Sequence, residues 1–110
     1  MTFRILSTNK FDKEFKLMLK RGKDRKKLDK FIDLIEKGLN QDVEYHLLLP
    51  NKYRLHKLSN NYSALWECHL EPDWLLVFEL NNKTLILENT GSHSDLFKST
   101  KQNAKHYVKT

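Results

Sequence analysis

With one cysteine, Cys68, the chain cannot close an intramolecular disulfide, and no apolar signal run follows Met1-Thr2-Phe3-Arg4. Both absences point to a reducing, cytoplasmic setting. No apolar stretch reaches the roughly 18 residues that a membrane span needs, so no membrane role is expected. Glycine and proline are also scarce, three and two in 110 residues, and no repeat or low-complexity tract breaks the chain before its last segment. That excludes fibrous and largely disordered classes. Hydrophobic residues make up 39% and aromatics 11%, enough for one domain with one core. By size such a domain buries somewhat over ~60% of its unfolded surface.

Acidic residues are thin where basic ones are dense. Residues 10 to 30 hold ten Lys or Arg against Asp12, Glu14, Asp24 and Asp29, so this stretch alone matches the +6 of the whole chain. Such a field attracts polyanions: nucleic acid first, an acidic protein second, anionic lipid third. A solvated helix face with no partner is the plainer alternative.

Hydrophobic spacing gives the elements. Phe3 and Ile5 suggest a short first strand, after which Ser7, Thr8 or Asn9 caps a helix carrying Phe11, Phe15, Met18 and Leu19 on one side. Gly22 ends it. Asp24 caps a second helix with Leu28, Phe31, Ile32 and Ile35 on one stripe, stopping near Gly38. This is a helical hairpin whose apolar faces need a sheet. Residues 40 to 52 show no clean period. Three strands follow, Leu65 to Leu70, Trp74 to Leu80 and Lys83 to Asn89, with Asn81-Asn82 as a two-residue turn. Pairing Leu80 with Lys83 sets Phe78 opposite Leu85, Leu76 opposite Leu87 and Trp74 opposite Asn89, leaving Val77 and Ile86 on the other face. That second face also needs a cover, either the segment from His93 to Phe97 or a partner protein. A single domain over residues 1–97 and a basic tail over 98–110, with Lys98, Lys101, Lys105 and Lys109, complete the division.

Three imidazoles and a carboxylate fall in the segments Tyr53-Arg54-Leu55-His56, Cys68-His69-Leu70-Glu71-Pro72-Asp73-Trp74 and Gly91-Ser92-His93-Ser94-Asp95-Leu96-Phe97. The hairpin register brings His69, Asp73, Trp74 and His93 to one rim of the sheet. Their level is fixed by the turns, but a one-residue slip reverses every face, and the simplest register points Glu67 toward Leu76 and Phe78. RNA carries its own nucleophile, the 2'-hydroxyl. Cleavage then needs a group to take its proton, one to protonate the departing 5'-oxygen, and donors for the phosphorane. Histidine can fill each role near neutral pH, and DNA lacks the nucleophile. His46 and His106 read as ordinary surface residues and Cys68 as a small buried apolar one. Trp74 and Phe97 serve either as core or as base-stacking platforms. No close Cys or His pair has zinc-ligand spacing, so no metal or cofactor is expected, although His56, His69, Asp73 and His93 form a conceivable zinc set.

The runs His69-x-Glu71-Pro72-Asp73-Trp74 and Gly91-Ser92-His93-Ser94-x-Leu96-Phe97 resemble those of the YafQ-type toxins, members of the RelE/ParE superfamily; the resemblance spans roughly residues 3 to 97. It implies an α+β fold, RelE/ParE-like, with two N-terminal helices packed on a mainly antiparallel sheet and a short C-terminal helix. It also implies a type II toxin that cleaves mRNA in the ribosomal A site, inhibits translation and is blocked by an acidic DinJ-like antitoxin. By the same resemblance His93 is the general acid, and His56, His69 and Asp73 are the other polar catalytic positions. Trp74, Phe97 and Arg54 would contact substrate, and Lys13, Lys16, Lys20, Lys23 and Lys27 would dock on ribosomal RNA. The chain departs from the family where Leu55-His56-Lys57-Leu58-Ser59-Asn60-Asn61 replaces a D-H-x-L-x-G run, and where thirteen residues follow Phe97. Two other readings stay open. One is a ParE-like toxin acting on a protein such as gyrase; the other is a noncatalytic RNA-binding module.

Overall fold

The computed structural model describes residues 3–40, 49–57, 65–81 and 83–96. Strand β1 (Arg4–Ser7) leads into helices α1 (Asn9–Lys20) and α2 (Arg25–Asn40). A single 3-10 turn (Asn51–Tyr53) precedes β2 (His56–Lys57), β3 (Leu65–Glu71), β4 (Trp74–Asn81) and β5 (Thr84–Gly91). The expected basic tail over 98–110 lies outside the described residues, as does Phe97. Among the described residues no helix is long and apolar enough to cross a membrane.

Thr8 is the cap of α1: its hydroxyl oxygen accepts the Phe11 N–H at 3.0 Å and its O–H donates to the Glu88 carbonyl at 3.1 Å, so one side chain starts the helix and docks it on β5. Gly22 closes α1 with φ +91°, a conformation natural to glycine, and a Cβ there would touch nothing. Asp24 opens α2 by accepting the Lys26 N–H. The second helix does not stop at Gly38 but runs on to Asn40, because Gly38 continues the buried stripe of Leu28, Phe31 and Ile35. Leu19, expected inside, turns to solvent.

The sheet order is β1-β5-β4-β3-β2, parallel between β1 and β5 and antiparallel elsewhere. The hairpin register differs from the expected one by two residues: Leu80 faces Leu85 and Asn81 faces Thr84. A two-residue shift keeps every side chain on its face, and it replaces a Leu–Lys pair with a Leu–Leu one. Lys83 takes a left-handed conformation (φ +61°), and its carbonyl accepts the Arg4 N–H that begins β1. A bulge then leaves Glu88 unmatched between the pairs Phe78–Leu87 and Val77–Asn89. A second bulge skips Leu70, pairing His69 with Leu75 and Glu71 with Trp74. That slip by one residue corrects the expected place of Glu67, which sits opposite Val77 on the face away from the helices.

The two faces have different covers. Cys68, Trp74, Leu76, Phe78, Leu85 and Leu87 pack with Phe11, Met18, Phe31 and Ile35 of the helices. Phe31 meets Phe78 edge-on at 5.2 Å. Each such side chain contributes about 1.5–3 kcal/mol on burial, so this face carries most of the stability. On the other face Leu75 and Val77 are sealed by Leu96, with Leu65 alongside. The segment after β5 thus supplies part of the second cover.

Candidate active site on the open face

Strand β3 places Glu67 and His69 on the Leu75–Val77 face, two residues apart on one pleat. His69 is 8% exposed, and its Nδ1 lies 3.3 Å from the Pro72 carbonyl. A carbonyl can only accept, so that contact puts a proton on Nδ1 and leaves Nε2 as the basic nitrogen. The β3–β4 turn presents Asp73 beside it. After β5, residues 93–96 form a helical turn that carries His93.

Asp73 Oδ1 receives two donors from His93, the backbone N–H at 2.8 Å and ring Nδ1 at 2.6 Å. These contacts, the backbone one foremost, hold the Asp73 carboxyl below the usual carboxylate range. The Asp73 carboxylate thus sets the orientation of the His93 ring through Nδ1. The His69 and His93 rings lie 5.5 Å apart, centroid to centroid. Three of the expected polar residues therefore converge.

His56 joins from the neighbouring strand. It pairs across the sheet with Glu67, and its Nε2 lies 3.2 Å from Glu67 Oε1. Its Nδ1 lies 3.0 Å from the Arg54 carbonyl. Both ring nitrogens thus face oxygen atoms, but the approach of Nε2 to Glu67 Oε1 does not meet hydrogen-bond geometry. Glu67, with only 2% of its surface exposed, is a functional candidate that sequence reasoning missed, because the bulge at Leu70 is invisible in the residue pattern.

Two further acids support the turns. Asp95 Oδ2 accepts the Ser92 N–H at 3.0 Å while Ser92 Oγ accepts the Asp95 N–H at 3.1 Å, a reciprocal cap. Arg21 grips the same carboxylate with both terminal nitrogens, and it is the main reason the Asp95 carboxyl falls to about 2. Glu71 takes Lys23 at 2.8 Å and Lys27 at 3.2 Å and is held below its ordinary range chiefly by Lys23. The Ser92-x-x-Asp95 spacing was a readable capping signal; Arg21 left none.

The expected substrate contacts fare differently. Trp74 has no exposed surface: its ring lies on the helix side near Phe15, and its Nε1 donates to Thr90 Oγ1 at 2.8 Å. It cannot stack on a base without unpacking the core, so its place is structural. Arg54 is exposed, with φ +47°, where its carbonyl meets His56. Lys13, Lys16 and Lys20 face solvent along α1, while Lys23 and Lys27 turn to Glu71. Burial pushes the Cys68 thiol well up, which keeps it inert. Among the described residues no group of three or more His, Cys, Asp or Glu side chains is arranged to hold a metal ion.

A helical hairpin on one face of a five-stranded, mostly antiparallel sheet, with imidazole–carboxylate pairs on the other, defines an α+β protein of the RelE-like toxin class. Residues 3–98 match the family of the bacterial toxin of type II toxin-antitoxin system, YafQ. The mRNA interferase toxin YafQ of Escherichia coli strain B / BL21-DE3 is 36% identical over 90 residues, covering 82% of this chain and 90% of that one. Among solved structures, the E. coli DinJ-YafQ complex superposes with a TM-score of 0.71 at 34% identity, covering 87% of this chain and 99% of that one. A metal-bound toxin from Helicobacter pylori gives 0.69 at 37% identity, with 87% and 100% covered. The chain belongs to the YafQ family of type II toxins.

Proposed function

We propose that this protein is an endoribonuclease, an mRNA interferase that cuts mRNA in the ribosomal A site and so inhibits translation in the cytoplasm. A DinJ-like antitoxin opposes it. The observation that carries the reading is the Asp73–His93 contact at 2.6 Å with His69 beside it, on a face that the helices leave open. His93, oriented by Asp73, protonates the departing 5'-oxygen from Nε2. His69, whose Nδ1 is turned to Pro72, takes the 2'-hydroxyl proton on Nε2. The 2'-oxygen attacks phosphorus, the bond to the 5'-oxygen breaks, and a 2',3'-cyclic phosphate and a 5'-hydroxyl remain. His56, on the neighbouring strand opposite Glu67, is the further polar position on the same face. Each step is a proton transfer or charge contact, so the reaction needs no metal.

The exposed lysines of α1, Lys13, Lys16 and Lys20, give the field that draws the protein to ribosomal RNA. A protein target such as gyrase would leave the imidazole–carboxylate pairs without a task. The test is to express wild type and His93→Ala in cells and to map mRNA 5' ends. Wild type should arrest growth and cut within codons, with cleavage lower by about 10²–10⁴-fold in the variant. Unchanged cleavage and arrest would overturn the assignment.

A further inference from the structure

The acid–base pair joins the β3–β4 turn to the turn after β5, which the Leu75–Gly91 pairing holds side by side, and both partners stand at the surface, where an ion pair adds little rigidity of its own. What remains to be set is how each turn leans. We propose that the corner between α1 and α2 is a two-point clamp, Arg21 on Asp95 and Lys23 on Glu71, that fixes the His93–Asp73 contact and makes Arg21 and Lys23 positioning residues. This rests on the acid–base reading above.

Each half of the clamp ends beside one half of the pair. Asp95 stands two residues after His93 in the same helical turn, and its carboxylate binds Arg21 through two nitrogens while capping Ser92, the residue before His93. The backbone on both sides of His93 is therefore held through one carboxylate. Gly91 belongs to this arrangement, since a Cβ there would lie 3.0 Å from Asp95 Cβ and 3.2 Å from its Oδ2. On the other side Glu71 ends β3 at the bulge, immediately before Pro72-Asp73, and takes both Lys23 and Lys27. The corner itself is stiff. Lys23 N–H donates to the carbonyl of Met18, a fully buried residue, Gly22 N–H donates to Leu19, and the Arg21 guanidinium touches the Met18 sulfur. Two cations separated by one left-handed glycine thus connect both turns to the core.

Half-exposed ion pairs add little to stability, so breaking one changes geometry more than folding. A misplacement near 1 Å in a catalytic pair can cost about 10²-fold in rate. The test compares Arg21→Ala, Arg21→Lys and Lys16→Ala in single-turnover cleavage by purified protein on programmed ribosomes, with ¹⁵N spectra of the histidine rings. Arg21→Ala should lower kcat by about 10- to 100-fold with KM within about twofold, and Arg21→Lys should recover part of the loss. Lys16→Ala should raise KM instead. The His93 Nδ1 signal should report one hydrogen-bonded environment in wild type and a mixture in Arg21→Ala. If Arg21→Ala raises KM with kcat unchanged, Arg21 is an RNA contact and the clamp is wrong; an unaltered His93 Nδ1 signal also refutes it. Should Arg21→Ala fail to fold, Arg21→Lys carries the same readouts. The ring spectra need no activity, so they judge the clamp even if His93→Ala shows the nuclease reading to be false.

Discussion

Removing His56 should destabilise the protein more than neutralising its partner Glu67, and the two changes should not add. His56 Nε2 lies 3.2 Å from Glu67 Oε1; the Glu67 side chain is 3% exposed and that of His56 29%. When the ring is protonated, two unit charges at that separation attract by roughly 5 kcal/mol at an effective dielectric constant of ~20. Removing the carboxylate from water consumes most of this, and solvent reaches the imidazole, so a coupling of about 1–3 kcal/mol is expected. His56→Ala removes the imidazole from beside a buried carboxylate, at a cost of about 2–4 kcal/mol. Glu67→Gln keeps the shape and still offers an oxygen to the ring, at a cost of about 1 kcal/mol. The double variant carries no buried charge and should therefore be more stable than His56→Ala alone. Urea unfolding of wild type, both single variants and the double variant measures this directly. Additive losses, with the double variant the least stable of the four, would refute the charge argument.

Trp74→Phe should cost about 1–3 kcal/mol through the lost bond to Thr90 and a residual cavity, with RNA affinity unchanged; wild-type stability with weakened RNA binding would restore Trp74 as a substrate contact. The Asp95 carboxyl is lowered to about 2, chiefly by Arg21, so its contribution is complete above about pH 4 and is lost as pH falls toward 2. Because 35% of that side chain meets solvent, about 1 kcal/mol is expected rather than the full shift, and Asp95→Asn should flatten the stability curve between pH 4 and 2; equal slopes for the two proteins would contradict this. Burial, its largest influence, raises the Glu14 carboxyl against the N–H donors of Thr90 and Asn89, so the protonated form favours folding at low pH and that gain disappears as pH rises through the folded value. Glu14→Gln should accordingly be more stable than wild type at pH 8 and no different near pH 3; lower stability at pH 8 in thermal melts would count against the desolvation argument.

The helices were legible because their signals are local: Thr8 and Asp24 accept the N–H groups a cap should, and Phe11, Met18, Leu28, Phe31 and Ile35 are buried at helical spacing. The strands were legible as apolar runs, but their offsets were not. Turn chemistry favoured Asn81-Asn82, whereas β1 uses the Lys83 carbonyl and moves the pairing by two. Faces survive an even shift, so Val77 stayed opposite the core while Leu80 changed partner. The bulge at Leu70 is an odd shift, and it alone decides that Glu67 meets His56. Trp74 is buried on the helix side for a related reason, since its position beside Asp73 in sequence says nothing about which face its ring takes. Arg21 and Asp95 are 74 residues apart and follow no periodicity, so their contact could only be seen in three dimensions.

Charge along α1 and α2 acts in two ways that the sequence treats as one. Arg21, Lys23 and Lys27 are drawn to Asp95 and Glu71 at the rim, where two lysines on one carboxylate leave a positive remainder beside Asp73. That remainder offsets the Asp73 carboxylate, so a phosphate approaching His93 does not meet an uncompensated negative charge. Lys13, Lys16 and Lys20, exposed on α1, are left to supply the long-range attraction. Attraction screened by salt and local balance held at short range therefore reside on different side chains of one helical hairpin. On the proposed reading, neutralising the first set should weaken encounter with RNA in a salt-dependent binding assay, whereas neutralising the second should alter the His93–Asp73 geometry.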